Sequence, residues 1–260
     1  MKTLLITGAV GGIGLATAKH FALLGWRVGL YDIDQVAVAA ALEDPALSHC
    51  FGAHCDVTET DSVSAMIEHF MQNSGGRMDA LINNAGVLSS GEFADMADAD
   101  CQRMININVL GLTRVAQAGF SALKTTPGSV LVNLCSVSSV HGIPTLAVYS
   151  ASKFYVNGFT EALALEWRKH GIRVSCIKPP IVKTSMGEAA ALGLGGSGDI
   201  RVLPEDVAGT IDRIVAGRGT GYFMDAQSRV WSLLDRWLWE SAREWLAARL
   251  TGYHTLQQGK

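Results

Sequence analysis

The chain of 260 residues is 48% hydrophobic, and its 17% charged residues sum to a formal charge of −3 without forming a long run. That is enough apolar chain for a large buried core, and no basic stripe is present to follow a phosphate backbone, so nucleic acid is excluded as the expected partner. The five cysteines, Cys50, Cys55, Cys101, Cys135 and Cys176, contain no C-x-x-C pair and fit free thiols in a reducing, cytoplasmic compartment.

The N-terminal apolar run over 3–7 meets glycine at once, too soon for a signal peptide, and reads as a buried first strand. Further short, branched runs at 27–31, 80–83, 129–134 and 173–177 read as strands, with an apparent strand at 50–55. Helical spacing follows the strands, beginning with a helix over 15–24. Such alternation predicts an α/β fold: a doubly wound, Rossmann-like parallel sheet covered on both faces. No linker or domain-sized repeat divides the chain, so residues 1–260 are expected as a single dinucleotide-binding catalytic domain. No apolar stretch approaches the roughly 18–20 residues that cross a bilayer, so no integral membrane segment is expected.

After the first strand comes Thr7-Gly8-Ala9-Val10-Gly11-Gly12-Ile13-Gly14, opening a helix. Glycine is required where the backbone turns sharply and where it must approach a pyrophosphate, and a helix N-terminus offers unpaired N–H groups to the anion. Eighteen residues after Gly14 stands Asp32, at the end of the second strand, as a carboxylate for an adenosine ribose or simply as the cap of a turn with Ile33 and Asp34. A carboxylate there repels a 2′-phosphate, which predicts NAD over NADP.

Tyr149-Ser150-Ala151-Ser152-Lys153 begins a helical pattern, and residues four apart share a helical face. A Lys153 ammonium over Tyr149 is expected to lower the phenol from its ordinary pKa of about 10 toward neutrality, where it serves as an acid/base. Thirteen residues earlier, Ser136 follows the strand 129–134 and is placed to hold a substrate oxygen.

With these motifs in hand, the chain from Lys2 to about Thr184 resembles the single-domain form of the short-chain dehydrogenase/reductase family. The resemblance implies hydride transfer between NAD(H) and a carbonyl or secondary alcohol. Tyr149 would move the proton, Ser136 would polarise the oxygen, Lys153 would contact the nicotinamide ribose, and Asn108 would support a water-linked relay to Lys153. It also implies cofactor contacts from Gly8, Gly12, Ile13, Gly14 and Asp32; from Asp56 and Val57 on the adenine side; and from Asn83, Ala85 and Gly86 after the fourth strand. Tyr149, Lys153, Pro179, Val182 and Thr184 complete the implied set. One departure is Pro179-Pro180 where members usually have Pro-Gly, which stiffens the loop and removes a donor. No metal is expected. A homodimer or homotetramer is implied, with 104–122 and 149–169 as apolar interface segments.

Several features remain open. His49-Cys50 and His54-Cys55 carry zinc-ligand chemistry, but along a strand their side chains diverge. Cys135 is a reactive thiol or a small apolar filler, with no basic neighbour in sequence to activate it. His141 is a pocket group or a structural one. Glycines and alanines over 187–198 suggest a mobile loop or weak helix, and 185–203 is expected either as a substrate lid or as an idle insertion. Residues 230–250 have amphipathic spacing through Trp231, Leu234, Leu238, Ala242 and Trp245. Such a C-terminal helix would pack on its own domain, close over an apolar substrate, join subunits or lie on a membrane. The expected substrate is small, neutral and lipophilic. The competing reading is a nucleotide-binding regulatory or scaffold protein that interacts through its tail helix.

Overall fold

The computed structural model describes residues 1–194 and 200–217, together with 223–224, 228–230, 232–233, 239 and 242. Most of the expected tail helix over 230–250, and residues 195–199 of the expected lid, lie outside the described residues.

Six strands form one parallel sheet: β1 (Thr3–Thr7), β2 (Arg27–Asp32), β3 (Phe51–His54), β4 (Ala80–Asn83), β5 (Val130–Leu134) and β6 (Arg173–Ile177). Their spatial order is β3-β2-β1-β4-β5-β6. The chain winds outward from β1 to β3, then returns to lay β4 against the other side of β1. That reversal opens a crevice between the carboxyl ends of β1 and β4, where sheets of this kind take their ligands.

The helices are α1 (Gly12–Leu23), α2 (Gln35–Leu42), α3 (Thr60–Asn73), α4 (Asp98–Ile105), α5 (Leu112–Lys124), α6 (Ala147–Glu166), α7 (Ser185–Gly193) and α8 (Pro204–Val215). Alternation along β1 shows how they divide between the two faces. Leu4 and Ile6 pack with Phe21 of α1 and Ile211 of α8, whereas Leu5 packs with Phe70 of α3, Val115 of α5 and Leu163 of α6. All five residues of β1 are buried, the expected state for a central strand covered on both faces.

Several boundaries move from the sequence expectation: β3 is Phe51–His54 rather than 50–55, and β5 starts at Val130 rather than at residue 129. Helix α1 starts at Gly12 rather than at residue 15, because the glycine turn is itself the first helical turn. Strand β2 runs on to Asp32, which pairs with His54. Residues 185–193 are helical, which is the helix alternative of the two offered for 187–198. Thr184 starts this helix by accepting a hydrogen bond from the Gly187 N–H at 3.0 Å.

Candidate active site

At the switch point, the β1 turn and the β4 turn are tied together. Asn84 Nδ2 donates to the carbonyls of Thr7 (2.9 Å) and Gly8 (2.8 Å), while Thr7 Oγ1 accepts from the N–H groups of Asn84 and Ala85, both at 3.1 Å. Gly8 has φ +63°, and a Cβ on it would lie 2.9 Å from the Ala85 Cα, so the two turns meet only because no side chain intervenes. A Cβ on Gly14 would collide with the Gly8 carbonyl oxygen. Gly14 therefore packs the helix onto the turn and does not face the cavity.

Helix α1 has no side-chain cap and no acidic residue in its first turn. Its leading N–H groups suit an anion. Asp32 accepts from the N–H of Val10 and of Asp34, each at 3.3 Å. It thus caps the turn and also lines the cavity. Asp56, nearby on the same wall, accepts from the N–H and hydroxyl of Thr58 at 2.8 and 2.7 Å. A glycine cradle, an uncapped helix start and a carboxylate at the end of β2 fit a dinucleotide bound by its pyrophosphate and ribose.

One cavity of about 1140 Å³ runs from this turn to Ser136, Tyr149 and Lys153. Gly8, Gly12, Ile13, Val57, Ala85 and Gly86 also line it, as do Pro179, Val182 and Thr184 after β6, with Thr184 packed close beside Gly12. Three expected residues do not. Besides Gly14, these are Asn83, whose side chain donates to the Leu112 carbonyl at 2.8 Å and anchors α5, and Asn108. Asn84, which spacing did not single out for a role, is the asparagine on the wall. Consecutive residues at a strand end point to opposite faces, so the one-residue difference decides which asparagine reaches the cavity.

Asn108 sits in a π-helical turn, Asn106–Gly111, and is buried. It accepts from the Val87 N–H and donates to the Val87 carbonyl, both at 2.9 Å, and also donates to Ser152 Oγ at 3.2 Å. Lys153 Nζ donates to the Leu134 carbonyl at 2.9 Å and stands 5.5 Å from the centre of the Tyr149 ring.

The expected lowering of Tyr149 is not found. The phenol is pushed up to about 12, chiefly by burial and in smaller part by a Cys135 thiolate, against the Ser136 hydroxyl, which pulls it down. Burial likewise lowers Lys153, which weakens the ammonium that was to do the tuning. Spacing placed the lysine on the correct helical face but carried no information about desolvation.

Cys135 also differs from its sequence reading. Its basic neighbour is Lys153, distant in sequence but adjacent in space; the thiol donates to the Lys153 carbonyl at 3.3 Å. Burial opposes its ionisation. Hydrogen bonds from the Cys176 thiol and Ser139, together with the Lys153 charge, outweigh that cost and hold Cys135 below the ordinary thiol range; the neighbouring Cys176 is held above it. Of the four zinc-ligand candidates His49, Cys50, His54 and Cys55, His49 Nε2 meets the Trp26 carbonyl and Cys55 Sγ points to the Ser62 carbonyl, so these two do not share a centre. His141 is not on the cavity wall.

The family model described as short chain dehydrogenase matches residues 2–193. The chain belongs to the short-chain dehydrogenase family. A 3alpha-hydroxysteroid dehydrogenase of Mediterraneibacter gnavus is 34% identical over 224 residues, spanning 80% of this chain and 86% of that one. The crystal structure of a short-chain dehydrogenase/reductase from Burkholderia phymatum in complex with NAD aligns with a TM-score of 0.79 at 25% identity, over 88% of this chain and 92% of that one. Actinorhodin polyketide ketoreductase with NADPH aligns with a TM-score of 0.75 at 27% identity, over 82% and 90% of the two chains. As a short-chain dehydrogenase, this protein is an oxidoreductase that interconverts a carbonyl and an alcohol with a nicotinamide dinucleotide. No helix among the described residues is long and apolar enough to cross a membrane.

Proposed function

We propose that the chain is an NAD-dependent dehydrogenase of a neutral, apolar secondary alcohol, acting as a carbonyl reductase in reverse. One observation carries this reading: a single cavity joins the glycine turn and Asp32 to Ser136, Tyr149 and Lys153, and its far wall is apolar. When bound, the dinucleotide supplies C4 of its nicotinamide as hydride acceptor or donor.

The protein's own groups position the substrate and move the proton. Ser136 and Tyr149 both line the cavity, close enough for the serine hydroxyl to act on the phenol. In reduction, a carbonyl oxygen placed between them accepts a hydrogen bond from the Ser136 hydroxyl while the protonated Tyr149 Oη gives its proton to the developing alkoxide; oxidation is the reverse, with the Tyr149 phenolate taking the alcohol proton. Lys153, on the same helical face as Tyr149, supports the nicotinamide ribose. Asn108, by clamping the Val87 backbone and Ser152, fixes the helix that carries Tyr149 and Lys153, and it supports the relay to Lys153. On the cofactor side, Gly8, Gly12, Ile13 and Gly14 shape the pyrophosphate turn. Asp56 and Val57 flank the adenine, Asn84, Ala85 and Gly86 face the ribose, and Pro179, Val182 and Thr184 border the nicotinamide.

Asp32 favours NAD because a second anion beside its carboxylate would be repelled. Related structures hold either NAD or NADPH, so the choice rests on this residue. The apolar substrate class is supported by Leu88, Ile143, Leu146, Ala190 and Leu194 on the wall and by the steroid alcohol named for the M. gnavus relative. Residues 1–260 act as one catalytic domain in the cytoplasm, with α7 as the cover of the cavity. Self-association uses the α5–α6 face, where Tyr155 and Phe159 stack at 5.6 Å beside a groove lined by Phe120, Leu163 and Trp167.

The test is reduction of NAD+ and of NADP+ across a panel of secondary alcohols, graded from charged polyols to rigid apolar rings. Turnover of the apolar members with NAD+ is expected. Preference for polyols would overturn the substrate class, and higher efficiency with NADP+ would overturn the role of Asp32.

A further inference from the structure

Among the described residues, Thr145 is the one non-glycine residue with positive φ, at +65°. It lies four residues before Tyr149, in Ile143-Pro144-Thr145-Leu146, where the Leu146 N–H donates to the Ile143 carbonyl at 3.0 Å. Proline at the second position and a left-handed third residue define a type II turn, and glycine is the ordinary occupant of that third place. A β-branched residue there is strained, and such strain persists only where the surroundings over-determine it.

The surroundings do so from three sides. The Thr145 carbonyl accepts from the Gly91 N–H at 2.9 Å, and the turn is pinned to α6 by the Ile143 N–H donating to Ser150 Oγ at 3.1 Å. The Thr145 hydroxyl reaches the carbonyl of Gly193 at 3.5 Å. Gly193 is the last residue of α7, and a terminal helical carbonyl has no partner within its own helix. A Cβ on Gly193 would strike Ser90, so α7 closes directly on the segment 88–91 at this point. None of Ser90, Gly91, Thr145 and Gly193 lines the cavity, yet Leu88, Ile143, Leu146, Ala190 and Leu194, carried on the segments they join, all do.

We infer that Thr145 is a positioning residue for substrate binding: its left-handed carbonyl and its hydroxyl clasp the segment 88–91 and the end of α7 around the turn that leads into Tyr149. Glycine would adopt this turn without strain but would leave the α7 carbonyl unpartnered. The inference rests on the cavity being the substrate site, and its scope is the apolar wall rather than the cofactor turn.

Three variants separate backbone from hydroxyl: Thr145→Ser keeps the hydroxyl, Thr145→Val keeps the branched bulk, and Thr145→Gly relaxes the turn. Loss of one neutral hydrogen bond corresponds to an effect of about 3–10-fold. Thr145→Val and Thr145→Gly are therefore expected to raise KM for the alcohol about 3–10-fold, with kcat and KM for NAD+ within about twofold of wild type. Thr145→Ser is expected to match wild type. A Thr145→Val enzyme with unchanged KM, or a Thr145→Ser enzyme as impaired as it, overturns the inference.

Hydrogen exchange supplies a readout that needs no turnover. In Thr145→Val, amides of 88–91 and 186–194 are expected to exchange about 3–10-fold faster while those of β1 and α1 are unchanged, and equal exchange throughout overturns the clasp. Wild-type protein that binds NADH but oxidises no alcohol would instead overturn the proposed activity, leaving the exchange result to decide the clasp.

Discussion

The two walls of the cavity are built on different principles. On the β1–β4 wall, polar side chains serve the backbone: Thr7, Asn84, Asp32 and Asp56 spend their hydrogen bonds on neighbouring turns, and glycines let those turns meet. On the β5–β6 wall, Ser136, Tyr149 and Lys153 are held among apolar residues, and burial shifts the latter two away from their ordinary ionisation. The first wall is a shape made of main chain, so changing it costs stability and cofactor fit. The second is a set of reactive groups, so changing it costs rate.

The largest break in this contrast is Tyr149→Phe, which removes one hydroxyl and leaves the first wall untouched. Turnover should fall by about 10²–10⁴-fold, the usual worth of a positioned acid/base. NADH binding, followed by fluorescence titration, should stay within about threefold. Parallel loss of both would show that the walls are not separable.

Asp32→Asn tests the first wall for selectivity. It removes the charge while keeping an oxygen for the turn, and a charge-assisted contact is worth about 1.5–3 kcal/mol. The ratio of kcat/KM for NAD+ over NADP+ should drop by about 10–100-fold, measured with one alcohol under both cofactors. An unchanged ratio would assign Asp32 to the turn alone.

Gly14→Ala should act on stability instead. A Cβ there meets the Gly8 carbonyl, and overpacking of this kind costs about 1–3 kcal/mol. Thermal unfolding should begin several degrees lower, at about 2–4 °C per kcal/mol for a chain of this size. An unchanged Tm would mean that α1 shifts freely relative to β1.

The smallest effect is alkaline. The folded chain holds Tyr149 protonated up to about 12, and burial also holds Tyr31 well above the usual phenol range. Unfolded tyrosine releases its proton near pH 10, so above that pH the folded state binds more protons and stability falls as pH rises. Lys153, lowered by burial, acts in the opposite direction and only up to the ordinary lysine value of about 10.4. Between about pH 10.5 and 12 the tyrosines dominate. The decline in Tm over that interval should be shallower in Tyr149→Phe and in Tyr31→Phe than in wild type.

Much of this architecture is legible in the amino-acid sequence. Short apolar runs bounded by glycine or polar residues locate β1, β4 and β6 to the residue; β1 and β4 are buried throughout, as strands covered on both faces are, whereas β6, last in the strand order, exposes Arg173. The turn ending at Gly14, with Asp32 at the end of β2, marked the cofactor side because close backbone approach permits few residue types. The four-residue interval between Tyr149 and Lys153 fixed their common helical face. The Asn83/Asn84 choice, the packing role of Gly14 and the desolvation of half-buried Tyr149 were not legible. They depend on which atoms converge from distant segments.

The amino-acid sequence by itself determined the parallel sheet, the place of the switch point and the identity of the reactive side chains, since local backbone geometry and hydrophobic period restrict these directly. Only the tertiary structure decided the protonation of those side chains, the Lys153 neighbour of Cys135 and the clasp at Thr145. Desolvation and contact between residues far apart in sequence exist only once the chain has closed around them.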